Sequence, residues 1–226
     1  GFMGKLIGKL AIESNMSICG GITIPGSKNI GMDIGTLLGF AETGVKVQDS
    51  TDLANKVNAS SPDCVIDFSV AEATEKNIPP ILELGIPCVI GTTGLSQAFK
   101  DKVLEICKRK NLSAVISSNM ATGVNIFFEL SKYIAQMIKE HNWDVEIIEK
   151  HHNRKKDSPS GTAITIAEKV AEGLDIKLED SVVYGRNKGF NPRKPGKAEI
   201  GIHAIRAGDI VGEHTVILAG QGERIE

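Results

Sequence analysis

The sequence predicts an α/β protein in two parts: a doubly wound parallel-sheet unit over residues 1–121 and an α+β unit with an open mixed sheet over residues 122–226. Three observations predict it. Short runs that are apolar throughout, such as Cys64-Val65-Ile66 and Cys88-Val89-Ile90, alternate with helical stretches, which is the pattern of buried parallel strands. Beyond residue 121 the spacing changes: Ala198, Ile200, Ile202 and Ala204 alternate with Glu199, Gly201 and His203, the period of a half-buried strand. Between these regimes lies one long amphipathic helix, from about Val124 to His141.

The elements follow in order. The chain opens on Gly1-Phe2-Met3-Gly4-Lys5 and a helical run through Leu6, Leu10 and Ile12. Ser17 to Ile22 reads as a strand, followed by Thr23-Ile24. Cys64 to Phe68 is a buried strand. Ala71 to Leu84 is helical, with Pro79 and Pro80 expected to kink or restart it. Cys88 to Ile90 is a strand ending in Gly91-Thr92-Thr93-Gly94. Leu95 to Lys110 is a helix with Phe99, Val103, Ile106 and Cys107 on one side, and Ala114 to Ile116 is another strand. In doubly wound sheets ligands gather beyond the carboxyl ends of strands, where Gly91-Thr92-Thr93 and Ser117-Ser118-Asn119 fall. In the second unit Val145 to Ile148, Ala198 to Ile205 and His214 to Leu218 read as strands, with Gly208-Asp209 a turn and Arg186 to Lys197 a long surface loop.

Composition excludes several function classes. A net charge of −2 gives no overall basic field for nucleic acid. No apolar run reaches about 18 residues, so no membrane span is expected. The four cysteines, Cys19, Cys64, Cys88 and Cys107, lack CxxC spacing and read as buried free thiols of a reducing compartment rather than a metal site.

The most informative stretch is Glu146 to Ala163, EIIEKHHNRKKDSPSGTA. A strand leads in, a basic loop follows (His151, His152, Arg154, Lys155, Lys156), and Asp157 to Thr162 open a helix whose apolar face is Ala163, Ile166, Ala167 and Val170. The first N–H groups of a helix lack internal partners and lie at the positive end of its dipole, so anions bind there. Two imidazoles beside them supply a group that titrates near neutrality. The combination fits a small anion with several charges that must also receive a proton.

That run resembles the signature of the 4-hydroxy-tetrahydrodipicolinate (dihydrodipicolinate) reductase family, of the form E-x-x-E-x-H-H-x-x-K-x-D-x-P-S-G-T-A. Three further blocks agree: Val89 to Gly94, Ser118 to Asn125, and Arg206 to Thr215. The resemblance implies a cytoplasmic NADH- or NADPH-dependent oxidoreductase of the diaminopimelate route to lysine, a homotetramer built on its second domain. His151 is then the proton donor and Lys155 the second catalytic residue. His152, Ser160, Gly161, Thr162 and Thr93 hold a small dicarboxylate. Gly1, Phe2, Met3, Thr23, Gly91, Thr92, Thr93, Ser117, Ser118, Asn119 and Met120 meet the cofactor, and no metal is implied. Glu146 and Glu149 are expected to be structural partners of the basic run. Where the family has arginine in its glycine turn this chain has Phe2, and Thr23-Ile24 offers no discriminating charge, so either cofactor is expected. Gly1 to Lys5 look like the tail of the family's glycine-rich turn, with the first strand missing from the chain, and the C-terminal end of the second domain is expected to be missing. The residues alone also allow another two-domain NAD(P) oxidoreductase, or a nucleotide- or anion-binding module without turnover.

Overall fold

The computed structural model describes residues 1–194 and 196–226. The chain divides into two compact units, Gly1–Ser117 and Ser118–Glu226.

In the first unit α1 (Phe2–Glu13) precedes β1 (Gly21–Thr23), α2 (Ile34–Leu38), β2 (Val47–Asp49) and α3 (Leu53–Ser60). β1 and β2 pair in parallel. Then come β3 (Val65–Asp67), α4 (Ala71–Glu83), β4 (Cys88–Ile90), α5 (Gln97–Lys110) and β5 (Ala114–Ile116), with the three strands parallel in the order β3-β4-β5. Strand and helix alternate as the wholly apolar runs require. α5 starts at Ser96, whose side chain accepts from Phe99 N–H at 3.2 Å, and ends with Lys108, Arg109 and Lys110 at the negative end of its dipole. Ile78, Ile81 and Leu82 of α4 pack with Cys88 and Ile90 of β4 and Phe99, Val103 and Ile106 of α5.

Three expectations change here. α4 runs on through Pro79 and Pro80 instead of restarting. Proline's fixed φ is itself helical; what it removes are the N–H groups that would have met the carbonyls of Glu75 and Lys76. The three-stranded sheet is covered by α4 and α5 on one face, while Ile66 and Val115 on the other stay 48% and 51% exposed. Of the cysteines, all free, only Cys88 is buried; Cys19 and Cys64 are exposed. Burial pushes the Cys88 thiol up to about 12, helped by the thiols of Cys64 and Cys107 and by Asp67.

The second unit holds α6 (Thr122–Ile138), β6 (Asp144–His151), α7 (Gly161–Leu174), α8 (Leu178–Ser181), β7 (Val182–Tyr184), β8 (Ile200–Arg206), β9 (Glu213–Gly220) and β10 (Glu223–Ile225). The sheet order is β10-β9-β6-β8-β7. β6 lies parallel to β8 and antiparallel to β9, the open mixed sheet the alternation predicts. Val145 and Ile147 of β6 align with Ile200 and Ile202 of β8 and with Leu218 and Val216 of β9. This apolar face packs under Phe128, Ala135 and Ile138 of α6 and Ala163, Ile166, Ala167 and Val170 of α7. The helices meet closely: a Cβ on Gly173 would lie 2.4 Å from the Lys132 carbonyl oxygen. Among the described residues no helix is long and apolar enough to cross a membrane.

The segment read as a plain surface loop from Arg186 to Lys197 is tethered. Arg186 and Arg193 pair with Glu146 and Glu199, and Arg193 Nε reaches Asp144 at 2.8 Å. Side chains at alternate strand positions share a face, so Glu146 looks away from the helices and meets His203 Nε2 at 2.8 Å. It therefore serves these arginines and His203, not the basic run.

Candidate active site

The strand period that buries Val145 and Ile147 carries on to Glu149 and His151, so both lie on the helix-covered face at the carboxyl end of β6. Register brings two partners to the same place: Arg206 aligns with His151, and His214 aligns with Glu149. Glu149 is fully buried, and every lone-pair direction of its carboxylate is used. Arg206 grips it with two bonds, Nη1 to Oε2 and Nη2 to Oε1, each 2.7 Å. The Ser160 backbone N–H donates to Oε1 at 3.0 Å, and His151 Nδ1 lies 2.6 Å from Oε2. Burial alone would raise this carboxyl's pKa; the donors from Arg206, His151 and Ser160 outweigh it and hold it below the usual 4.5. An ionised carboxylate only accepts, so His151 Nδ1 carries the proton and Nε2 is the outward nitrogen.

Ser160 caps α7. Its Oγ accepts from Ala163 N–H at 3.1 Å and sits 3.0 Å from His214 Nε2. The hydroxyl is thus committed inside the protein, and Ser160 is 2% exposed. The first N–H groups of α7, those of Gly161 and Thr162, have no acceptor within the helix. The His214 ring meets the His151 ring edge-on at 5.2 Å and 74°. Burial, with the charges of His151 and Lys155, depresses the His214 pKa below 6.5 despite the opposing pull of Glu149.

The basic loop is folded back on itself. Lys155 donates its backbone N–H to the His152 carbonyl at 3.1 Å, and its Nζ pairs with Asp157 at 2.9 Å. Arg206 Nη2 donates to the Asp157 carbonyl at 2.7 Å. Arg154 and Lys156 are exposed. Two buried nitrogens, His152 Nδ1 and Arg206 Nε, have no partner among the described residues. Arg206 Nε–H is a donor without an acceptor, while His152 Nδ1 donates or accepts according to tautomer.

In the first unit the residues expected at the cofactor fall in several places. Gly1 is the N-cap of α1, with Phe2 and Met3 exposed in its first turn, and Thr23 ends β1. Thr92 is 6% exposed and its Oγ1 accepts from Ser69 N–H at 3.0 Å, so its side chain faces inward while Thr93 is exposed beside it. Ser117 follows β5, and Ser118, in the second unit, bonds Thr165 at 2.9 Å. Asn119 Oδ1 accepts from Ala121 N–H at 2.9 Å and Met120 is 40% exposed. A cavity of about 410 Å³ opens where the chain leaves β1 and β2, lined by Pro25, Ser50 to Ala54, Lys76, Asn77 and Pro80. Its size is in the range of small-molecule sites. A three-residue strand, Val47–Asp49, gives little periodic signal, so the sequence does not point to these residues.

A doubly wound unit joined in sequence to an open mixed sheet with this basic loop defines a two-domain NAD(P)-dependent oxidoreductase. The sequence pattern described as "Dihydrodipicolinate reductase, N-terminus" matches residues 1–120, and "Dihydrodipicolinate reductase, C-terminus" matches residues 123–226. The chain belongs to the dihydrodipicolinate reductase family. It is 43% identical to the 4-hydroxy-tetrahydrodipicolinate reductase of Methanosphaera stadtmanae over all of this chain and 82% of that one. It is 40% identical to the enzyme of Methanocaldococcus jannaschii, over all of this chain and 81% of that one. Among solved structures, a dipicolinate-bound dihydrodipicolinate reductase from Paenisporosarcina shares the fold with a TM-score of 0.60 at 22% identity, covering 98% of this chain and 80% of that one.

Proposed function

We propose that this chain reduces 4-hydroxy-tetrahydrodipicolinate to tetrahydrodipicolinate in the diaminopimelate route to lysine. The ring hydroxyl and one ring proton leave as water, and a hydride and a proton are added to the ring. NADH or NADPH, when bound, supplies the hydride. The N-terminus of α1 suits its pyrophosphate and the cavity beside Pro25, Ser50 and Lys76 suits its adenosine, with Gly91 to Thr93 and Ser117 of the same unit as further contacts. His151 gives the proton from Nε2. Lys155 polarises the substrate. His152 and the N–H groups of Gly161 and Thr162 hold a carboxylate, with Ser160 fixing that helix end. Residues 1–121 then serve as the dinucleotide domain and 122–226 as the substrate and oligomerisation domain. The sheet face turned away from α6 and α7, which carries Ile205 at 43% exposure, would join copies in a cytoplasmic homotetramer.

The observation that carries the reading is that one buried carboxylate, Glu149, touches both the His151 ring and the Ser160 N–H, so proton donor and anion-holding helix end share one anchor. Calorimetric titration with pyridine-2,6-dicarboxylate, a planar analogue, tests it. A charge-assisted contact is worth about 1.5–3 kcal/mol, so Lys155→Ala is expected to weaken binding about ten- to a hundredfold. Equal binding by parent and variant would refute the site.

A further inference from the structure

We propose that Glu149 is a positioning residue for the reduction, fixing the His151 ring so that Nδ1–H points inward and Nε2 faces the substrate. The proposal rests on the reading of His151 as proton donor. Glu149 looks at first like a core ion pair, but a pair with Arg206 alone would leave lone pairs for which the fold has no use. Here the same carboxylate spends its remaining directions on the His151 ring and on the first turn of α7.

The geometry leaves that carboxylate no second arrangement. Arg206 is itself fixed through its bond to the Asp157 carbonyl. With both Arg206 bonds made, Oε2 stays 2.6 Å from His151 Nδ1. The imidazole cannot turn over freely either, because the His214 ring stands edge-on against it at 5.2 Å, held by Ser160 Oγ. The outward nitrogen is kept clear by a glycine: a Cβ on Gly212 would come 3.0 Å from His151 Nε2. A proton donor must release its proton from one nitrogen and keep the other; a carboxylate at the far nitrogen enforces that order.

The test begins with the parent protein, its histidines labelled with nitrogen-15, in the absence of substrate. Neutral His151 is expected to show Nδ1 protonated and Nε2 bare; the opposite tautomer, or an even mixture, would overturn the proposal without need of any variant. Glu149→Gln is then expected to lose that signature, with kcat down by about two to four orders of magnitude, the cost of a wrong tautomer. KM for the hydroxy-dicarboxylate substrate should stay within about threefold, because glutamine keeps an oxygen to accept the Ser160 N–H that fixes the helix end. A variant that keeps both the tautomer and kcat would also overturn it. A parent that shows the expected tautomer yet turns over no substrate would sink the reductase reading and leave the ring-orienting role of Glu149 standing.

Discussion

Arg206→Met probes the pair at the centre of the site. It removes both 2.7 Å bonds to Glu149 and the bond to the Asp157 carbonyl, while methionine fills much of the same volume. Glu149, at 0% exposure, is left as a buried carboxylate with only His151 and the Ser160 N–H as donors. Breaking a buried pair from one side costs about 3–5 kcal/mol. Two donors remain and the Arg206 side chain is 20% exposed, so the lower end, about 3 kcal/mol, applies here. For a chain of this length each kcal/mol moves Tm by about 2–4 °C, giving a fall of about 6–12 °C. Urea unfolding followed by circular dichroism measures the loss directly. The companion is the double variant Glu149→Leu, Arg206→Met, which buries no charge. It is expected to return to within about 1 kcal/mol of the parent while activity stays lost, since His151 has no acceptor at Nδ1. A single variant costing under about 1 kcal/mol would refute the claim that the pair acts as a buried one.

Other outcomes follow from particular contacts. Gly173→Ala places a Cβ 2.4 Å from the Lys132 carbonyl and 2.7 Å from Ala135 Cβ, so α6 and α7 must part; a loss of about 2–3 kcal/mol in urea titration is expected, with activity per folded molecule unchanged. Ser160→Ala removes both the cap on Ala163 N–H and the partner of His214 Nε2, and should cost about 1–2 kcal/mol together with part of the substrate affinity. Stability should fall with acidity in two windows. His214 has a depressed folded pKa, so the unfolded chain binds its proton first, and its contribution, full above 6.5, is lost as pH drops through the folded value. Glu149 contributes fully above 4.5 and loses that contribution only at lower pH still. In Tm measured against pH, His214→Asn should flatten the upper window alone.

Much of this was legible in the sequence, and the parts that were not share a cause. The strand, basic loop and helix from Glu146 to Ala163 are local, and Ser160 caps α7 where the turn residues say it should. The alternation of Ile200 and Ile202 gave the buried face of β8 because period is a short-range property. The role of Glu149 is not legible locally, although Val145, Ile147 and Glu149 share one face by the same period. Its main partner, Arg206, lies 57 residues on, and only sheet register joins them. Local sequence points Glu146 to the basic run for the same reason; Arg186, Arg193 and His203 reach it from 40 to 57 residues away. α4 shows the reverse case. Local rules put a kink or a restart at Pro79-Pro80, but Ile78, Ile81 and Leu82 bury against β4 and α5 and the helix does not restart.

The most direct test of the central claim is turnover. A companion synthase generates the unstable substrate from pyruvate and aspartate semialdehyde, and loss of reduced-nicotinamide absorbance is followed with NADH and with NADPH, for the parent and for Lys155→Ala. Oxidation of at least one cofactor that depends on the synthase product, with most of the rate gone in the variant, is the predicted result. A parent that binds cofactor but leaves it reduced in the presence of that product, or a Lys155→Ala variant as fast as the parent, would contradict the account.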